Sequence, residues 1–136
     1  MNINHLEIES YTGIGKRKTA VAKVFLKEGS GNIIINKKPF SFFLQSVGEE
    51  GHSIKHPFLL VNALDSYDVD IVVSGGGISG QMDAIRLGLT RALCQKNKEY
   101  RIIFNQSFGL RRDSRIKERK KYGLKKARKA SQYSKR

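Results

Sequence analysis

The last 26 residues of this chain cannot belong to a folded core. From Arg111 to Arg136 there are 13 Lys and Arg against two acids, Asp113 and Glu118, a net charge of +11, whereas residues 1–110 carry 13 basic and ten acidic residues, a net of +3. The apolar and aromatic side chains of the stretch are Ile116, Tyr122, Leu124, Ala127, Ala130 and Tyr133, with no helical or strand period among them. Self-repulsion and the lack of core residues keep such a segment extended until a polyanion meets it. Any compact domain must therefore come from the preceding residues, enough for one small core and too few for two. The expected organisation is a polar lead-in at 1–12, a globular domain at 13–110 and a basic arm at 111–136.

A near-neutral body with a polybasic extension selects a dense polyanion as partner. A membrane-bound basic helix needs an apolar face of Trp, Phe or Leu, and the arm contains only Leu124 of these. Nucleic acid is favoured and a membrane is not expected. Cys94 is the single cysteine, so no intramolecular disulfide forms and a reducing compartment fits. No run of 18 apolar residues exists. Met1 to Tyr11 contains Glu7 and Glu9 and no Lys or Arg, unlike a secretory signal or a transit peptide.

The body reads as α+β. Gly13 to Lys18 is expected to be flexible and to end in a basic cluster. Thr19 to Lys27 alternate, with Ala20, Ala22, Val24 and Leu26 on one face and Val21, Lys23, Phe25 and Lys27 on the other, which predicts a half-buried strand. Glu28 to Asn32 carries turn residues and predicts a hairpin back into a strand at Ile33-Ile34-Ile35. Asn36-Lys37-Lys38 is a second turn, and Pro39 fits the first turn of a short helix with Phe40, Phe43 and Leu44. Gly48 and Gly51 break the chain. Pro57 opens or kinks a helix through Phe58, Leu59, Leu60, Val61, Ala63 and Leu64. Tyr67 to Ser74 is a strand with Val69, Ile71 and Val73 inward. After Gly75-Gly76-Gly77, Ile78, Met82, Ile85, Leu89 and Ala92/Leu93 recur at helical spacing. Ala84, Gly88 and Ala92 form a second row whose small size lets that helix sit close on a sheet. Tyr100 to Phe104 fits helix or strand, with helix preferred.

Three constellations carry chemistry. In the arm, Arg111, Arg112, Arg115, Lys117, Arg119, Lys120, Lys121, Lys125, Lys126, Arg128 and Lys129 are the candidate phosphate ligands: Arg grips phosphate with two parallel N–H groups and Lys acts as a point charge. Fully stretched, the arm reaches at most roughly 85–95 Å, far enough to thread between RNA helices. Tyr122 and Tyr133 suit stacking on unpaired bases or burial against sugar edges. Gly75-Gly76-Gly77 precedes a helix, where outward backbone N–H groups make a phosphate site, although close strand-to-helix packing explains the glycines as well. Lys16-Arg17-Lys18 is a local positive knob and a second contact to the same polyanion. Elsewhere, His5, His52 and His56 complete no zinc pattern. Cys94 near an apolar helix face reads as a small buried thiol rather than a partner for His52, and Asp68 and Asp70 read as solvated. No cofactor is expected.

Three blocks of sequence, in order, resemble the ninth protein of the small ribosomal subunit, bacterial and organellar type. They are Gly13-Ile14-Gly15-Lys16-Arg17-Lys18-Thr19-Ala20-Val21-Ala22, the run from Gly75 through Asp83-Ala84-Ile85-Arg86-Leu87-Gly88 to Leu93, and the arm with Arg112-Asp113-Ser114-Arg115, Glu118 to Arg128 and Ser134-Lys135-Arg136. Residues 95–109 and the first ten match that pattern weakly. The resemblance implies a left-handed βαβ-type α+β domain like the second domain of the fifth small-subunit protein. It implies a body bound to ribosomal RNA in the head of the subunit, among neighbouring head proteins, and an arm whose tip, Ser134, Lys135 and Arg136, reaches transfer RNA in the peptidyl site. The ribosome would be that of a bacterial cytoplasm or a plastid, with the abundance of Ile, Lys and Asn leaning toward the plastid.

Two other classes compete. A small nucleotide-binding enzyme would use the glycine loop, but no Lys-Ser or Lys-Thr completes a P-loop and Asp83 is the only acid near it on the helix. A general nucleic-acid chaperone explains the charge and leaves the folded body unexplained.

Overall fold

The computed structural model describes residues 10–107 together with Arg115 and Tyr122. The described chain runs β1 (Tyr11–Arg17), β2 (Ala20–Glu28), β3 (Ile33–Ile35), β4 (Lys38–Pro39), α1 (Phe40–Val47), a 3-10 segment (Glu49–Lys55), α2 (His56–Leu60), β5 (Tyr67–Ser74), α3 (Ile78–Lys96) and α4 (Tyr100–Ser107). It is a mixed α+β domain on one five-stranded sheet of order β1-β2-β5-β3-β4.

The alternation read from Thr19 to Lys27 and from Tyr67 to Ser74 places both strands as expected. They pair antiparallel with Ala22 opposite Val73, Val24 opposite Ile71 and Leu26 opposite Val69. All six side chains are thereby on one face, and all six are buried. A shift of one residue in either strand would turn its apolar set to solvent, so this register is strongly specified. Helix α3 covers that face with Ile85, Leu89 and Leu93, each fully buried. Ile78, the first residue of its expected apolar stripe, is instead 47% exposed, because the helix begins there, past the sheet. Phe104 of α4, and Phe58 and Ile54 of the crossover, close the core.

Two expectations fail for one reason, that strand pairing is not local. Gly13 to Lys18 is not a flexible lead: Gly13 to Arg17 is most of β1, an edge strand paired along its length with β2, and Lys18 enters the two-residue turn Lys18-Thr19. And Glu28 to Asn32 does not fold β3 back on β2. The loop carries the chain past β5, so that β3 lies parallel to β5 on its other side, with Ile33 opposite Val69 and Ile35 opposite Ile71. Asp68 holds this loop: its Oδ1 accepts N–H bonds from Ser30, Gly31 and Asn32 at 3.0, 3.2 and 3.0 Å. These bonds lower its pKa from the ordinary carboxylate range. It is therefore an anchor rather than a solvated acid. Asn36 does similar work, donating to Val73 O at 3.0 Å and accepting from Val73 N at 2.9 Å.

The crossover from β3 to β5 contains β4, α1, the 3-10 segment and α2. Pro39 is the N-cap of α1, and Pro57 lies in the first turn of α2. Helix α2 stops at Leu60, so Val61, Ala63 and Leu64 fall outside it, and no residue of α1 is fully buried. The helix preferred at Tyr100 to Phe104 is present as α4, with Phe104 inward.

Candidate nucleic-acid interface

The row of small residues on α3 meets its counterpart on β1. Gly13 and Gly15 are the buried positions of that strand. A Cβ on Gly13 would run into the carbonyl of Gly88, and one on Gly15 into the carbonyl of Ala84, while a Cβ on Gly88 would stand 2.7 Å from Val24 Cγ2. Backbone thus packs directly on backbone. The close approach lets α3 side chains reach the free edge of β1: Gln95 Oε1 accepts from Thr12 N–H at 3.0 Å, and Arg91 donates to the Ile14 carbonyl at 2.7 Å. An edge strand with its N–H and C=O groups satisfied this way is blunted against pairing with other chains. At the far end, Lys96 binds Glu28 at 2.7 Å, raising the lysine pKa and lowering the glutamate's.

The opposite end of the same strand holds the basic knob. Lys16 and Lys18 are exposed, Lys18 in the left-handed conformation at φ +53°. Arg17 turns the other way, toward α3, where its Nε lies 3.5 Å from Asp83 Oδ2 and its side chain is 15% exposed. Asp83 also takes the guanidinium of Arg86. The one acid of the helix that a nucleotide-bound metal would have used is thus held by two arginines.

Register brings the knob to the glycine loop. Val21 pairs with Ser74, so the Lys18-Thr19 turn of the β1–β2 hairpin lies against Gly75 and Gly76. Both glycines have left-handed backbone, φ +75° and +64°, and a Cβ on Gly75 would come within 2.5 Å of the Thr19 carbonyl. The tight-turn explanation therefore accounts for these two. Gly77 is different: its φ is −89°, and a Cβ there would meet nothing within 4 Å. It is the N-cap of α3, with no side-chain cap and no acid in the first turn. The first-turn N–H groups of a helix have no partners within it and carry the positive end of its dipole. An uncapped helix end thus lies close to the hairpin turn that carries Lys18, a combination suited to phosphate oxygens, while Lys16 stands on the opposite face of β1.

Of the other sequence candidates, Arg115 and Tyr122 are exposed. Arg111, Arg112, Lys117, Arg119, Lys120, Lys121, Lys125, Lys126, Arg128, Lys129, Tyr133, Ser134, Lys135 and Arg136 lie outside the described residues, as does His5. His52 packs edge-on to Phe40 within the crossover. Cys94 is only half-buried. Burial pushes its thiol up and Arg101 pulls it down. The sequence reading passed over Arg91, Lys98 and Arg101, which with Cys94 and Gln95 line a single cleft. They are scattered over 11 positions, and only the corner between α3 and α4 collects them.

The family model described as ribosomal protein S9/S16 matches residues 15–136. The chain is 52% identical over 124 residues to small ribosomal subunit protein uS9c of Thalassiosira pseudonana, covering 91% of this chain and 92% of that one. It is 47% identical over 131 residues to uS9c of Mesostigma viride, 96% of each. It is 48% identical over 126 residues to uS9 of the cyanobacterium Crocosphaera subtropica, 93% and 92%. With a match of this extent, the chain belongs to the ribosomal protein S9/S16 family, whose members are constituents of the ribosome and not enzymes.

Proposed function

We propose that this protein holds small-subunit ribosomal RNA in the head of the subunit through two cationic elements and brings the tip of its arm to transfer RNA in the peptidyl site. The carrying observation is the step in charge density, +3 over residues 1–110 against +11 over residues 111–136. On the body, the Lys16-Arg17-Lys18 cluster ends in a turn that abuts the open N-terminus of α3 at Gly75-Gly76-Gly77, and RNA phosphates lie against Lys16, Arg17, Lys18 and that helix end. In the arm, Arg111, Arg112, Arg115, Lys117, Arg119, Lys120, Lys121, Lys125, Lys126, Arg128 and Lys129 neutralise phosphates between RNA helices, and Ser134, Lys135 and Arg136 meet the transfer RNA. The arm spans 111–136, the domain 13–110 and the lead-in 1–12, and head proteins are the neighbours. The ribosome is that of a plastid or a bacterial cytoplasm.

The parallel pair β3–β5 joined by a helical crossover supports a βαβ unit, and the left-handed form, as in the second domain of the fifth small-subunit protein, is part of this proposal. No bond is made or broken: the contribution is electrostatic and positional.

Co-sedimentation with small-subunit ribosomal RNA across a salt series tests the reading. The full chain should bind with a steep loss of affinity as salt rises, because each neutralised phosphate releases counterions. A chain ending at Gly109 should lose most of that slope, and equal binding without the arm would refute the proposal. Removing Ser134, Lys135 and Arg136 should leave subunit association intact and weaken peptidyl-site transfer RNA, whereas equal loss of both would deny the tip a separate role.

A further inference from the structure

The corner between α3 and α4 makes a second cationic feature on the body, on the far side of α3 from the glycine loop. Helix α3 ends at Lys96, and Asn97 takes up extended backbone. Asn97 then starts the next helix, its Oδ1 accepting the Glu99 N–H at 3.0 Å and its carbonyl the Tyr100 N–H at 3.2 Å. Phe104, fully buried and edge-on to Tyr100, fixes α4 to the core. The corner opens a cleft of about 620 Å³ lined by Arg91, Cys94, Gln95, Lys98 and Arg101. Among the described residues that line it, three of the five are cations and none is an acid. Arg91 and Gln95 are held in place by their bonds to the β1 edge, so one wall is preorganised.

Resting on the rRNA reading above, we infer that this cleft is a further RNA site, taking the phosphodiester backbone of one or two nucleotides of ribosomal RNA. Three properties select RNA backbone over a free anion. The volume is in the range of sites for nucleotide-sized ligands, well beyond a lone phosphate. The walls mix cations with the thiol of Cys94 and the amide of Gln95, which suits sugar edges between phosphates. And the cleft stands beside α4, which leads into the arm: three residues separate Ser107 from Arg111, a reach of at most roughly 14 Å. Chain length alone therefore permits the arm and the cleft to hold one continuous RNA backbone.

Cys94 supplies the reporter, since it is the only thiol in the chain. Its alkylation by a maleimide would be followed in the full-length protein, with and without purified small-subunit ribosomal RNA at low ionic strength, and RNA binding read by sedimentation in the same samples. Bound RNA should slow alkylation several-fold. The pair K98Q and R101Q should abolish that protection and lower the salt slope of binding by about two, one per lost phosphate contact. The pair K23Q and K27Q, on the open face of the sheet, should leave protection in place. RNA that sediments with the protein while Cys94 reacts at its free rate would overturn the cleft and leave the parent reading standing, and absence of any RNA binding would remove both. Protection by inorganic phosphate alone would make it a small-anion site. Shielding of Cys94 in the free protein that disappears when residues 1–9 are deleted would assign the cleft to the chain's own acidic lead-in. Each of these two results overturns the RNA assignment.

Discussion

Glycine does two different jobs along one helix, at its middle and at its start. Along the seam of α3 with β1, Gly13, Gly15 and Gly88 are there because any side chain would strike backbone or the core. At the N-terminus of α3, Gly75 and Gly76 are there for their left-handed turn and their closeness to Thr19 and Ala20, and Gly77 for neither reason. The seam stabilises the domain and faces no ligand. The loop leaves backbone donors open beside the turn that carries Lys18. The same residue type thus reads as packing in one place and as access in the other, and only the space around the missing Cβ separates the two.

The seam is where the largest effect is expected. In G15A the new Cβ meets the Ala84 carbonyl, which belongs to the helix and cannot rotate away. Overpacking of this kind costs about 3 kcal/mol or more. Denaturant unfolding should show that loss with RNA affinity falling only as folded protein is lost. A cost below about 0.5 kcal/mol would mean that the seam yields, and the distinction drawn here would dissolve. G75A comes next. Its left-handed φ and its 2.5 Å approach to the Thr19 carbonyl should together cost about 2 kcal/mol.

How much of this was readable beforehand follows the range of the interactions. Period-two and period-3.6 patterns placed β2, β5 and α3, because burial on one face writes itself into every second or every third and fourth residue. The small row Ala84, Gly88, Ala92 announced a close neighbour for α3 without naming it. Gly13 and Gly15 could not announce themselves as that neighbour, since a strand whose inward positions are glycine shows no apolar alternation. The pairing of β3 was hidden because its partner, β5, lies more than 30 residues on, and local turn residues argued for the nearer strand. At the site, the knob and the glycine loop were each visible, but their contact depends on the β2–β5 register. The cleft at Lys98 and Arg101 was invisible because Asn97 alone bends the chain there.

Lys18 lets charge be removed at the loop without a packing cost. Its left-handed conformation is strained for lysine, and glycine would relieve about 1 kcal/mol while loosening the unfolded chain by a similar amount. K18G should therefore stay within about 1 kcal/mol of the parent in unfolding. Its salt slope for RNA should fall by about one unit if Lys18 meets a phosphate. An unchanged slope would leave the knob as surface charge only.

The smallest stability change carries the sharpest contrast. Serine at the N-cap accepts a bond from the N–H of the second or third helical residue, and is preferred to glycine there by a few tenths of a kcal/mol. The backbone at Gly77, φ −89° and ψ 175°, is extended and admits serine, and its Cβ would stand in open space. G77S should thus raise stability by a few tenths of a kcal/mol. Yet the same hydroxyl would take a donor that a phosphate oxygen needs, and RNA affinity should fall several-fold. Stability and binding moving in opposite directions is an outcome that general damage cannot imitate. If G77S bound RNA as well as the parent, the helix end would hold no phosphate, and the loop glycines would join those of the seam as packing.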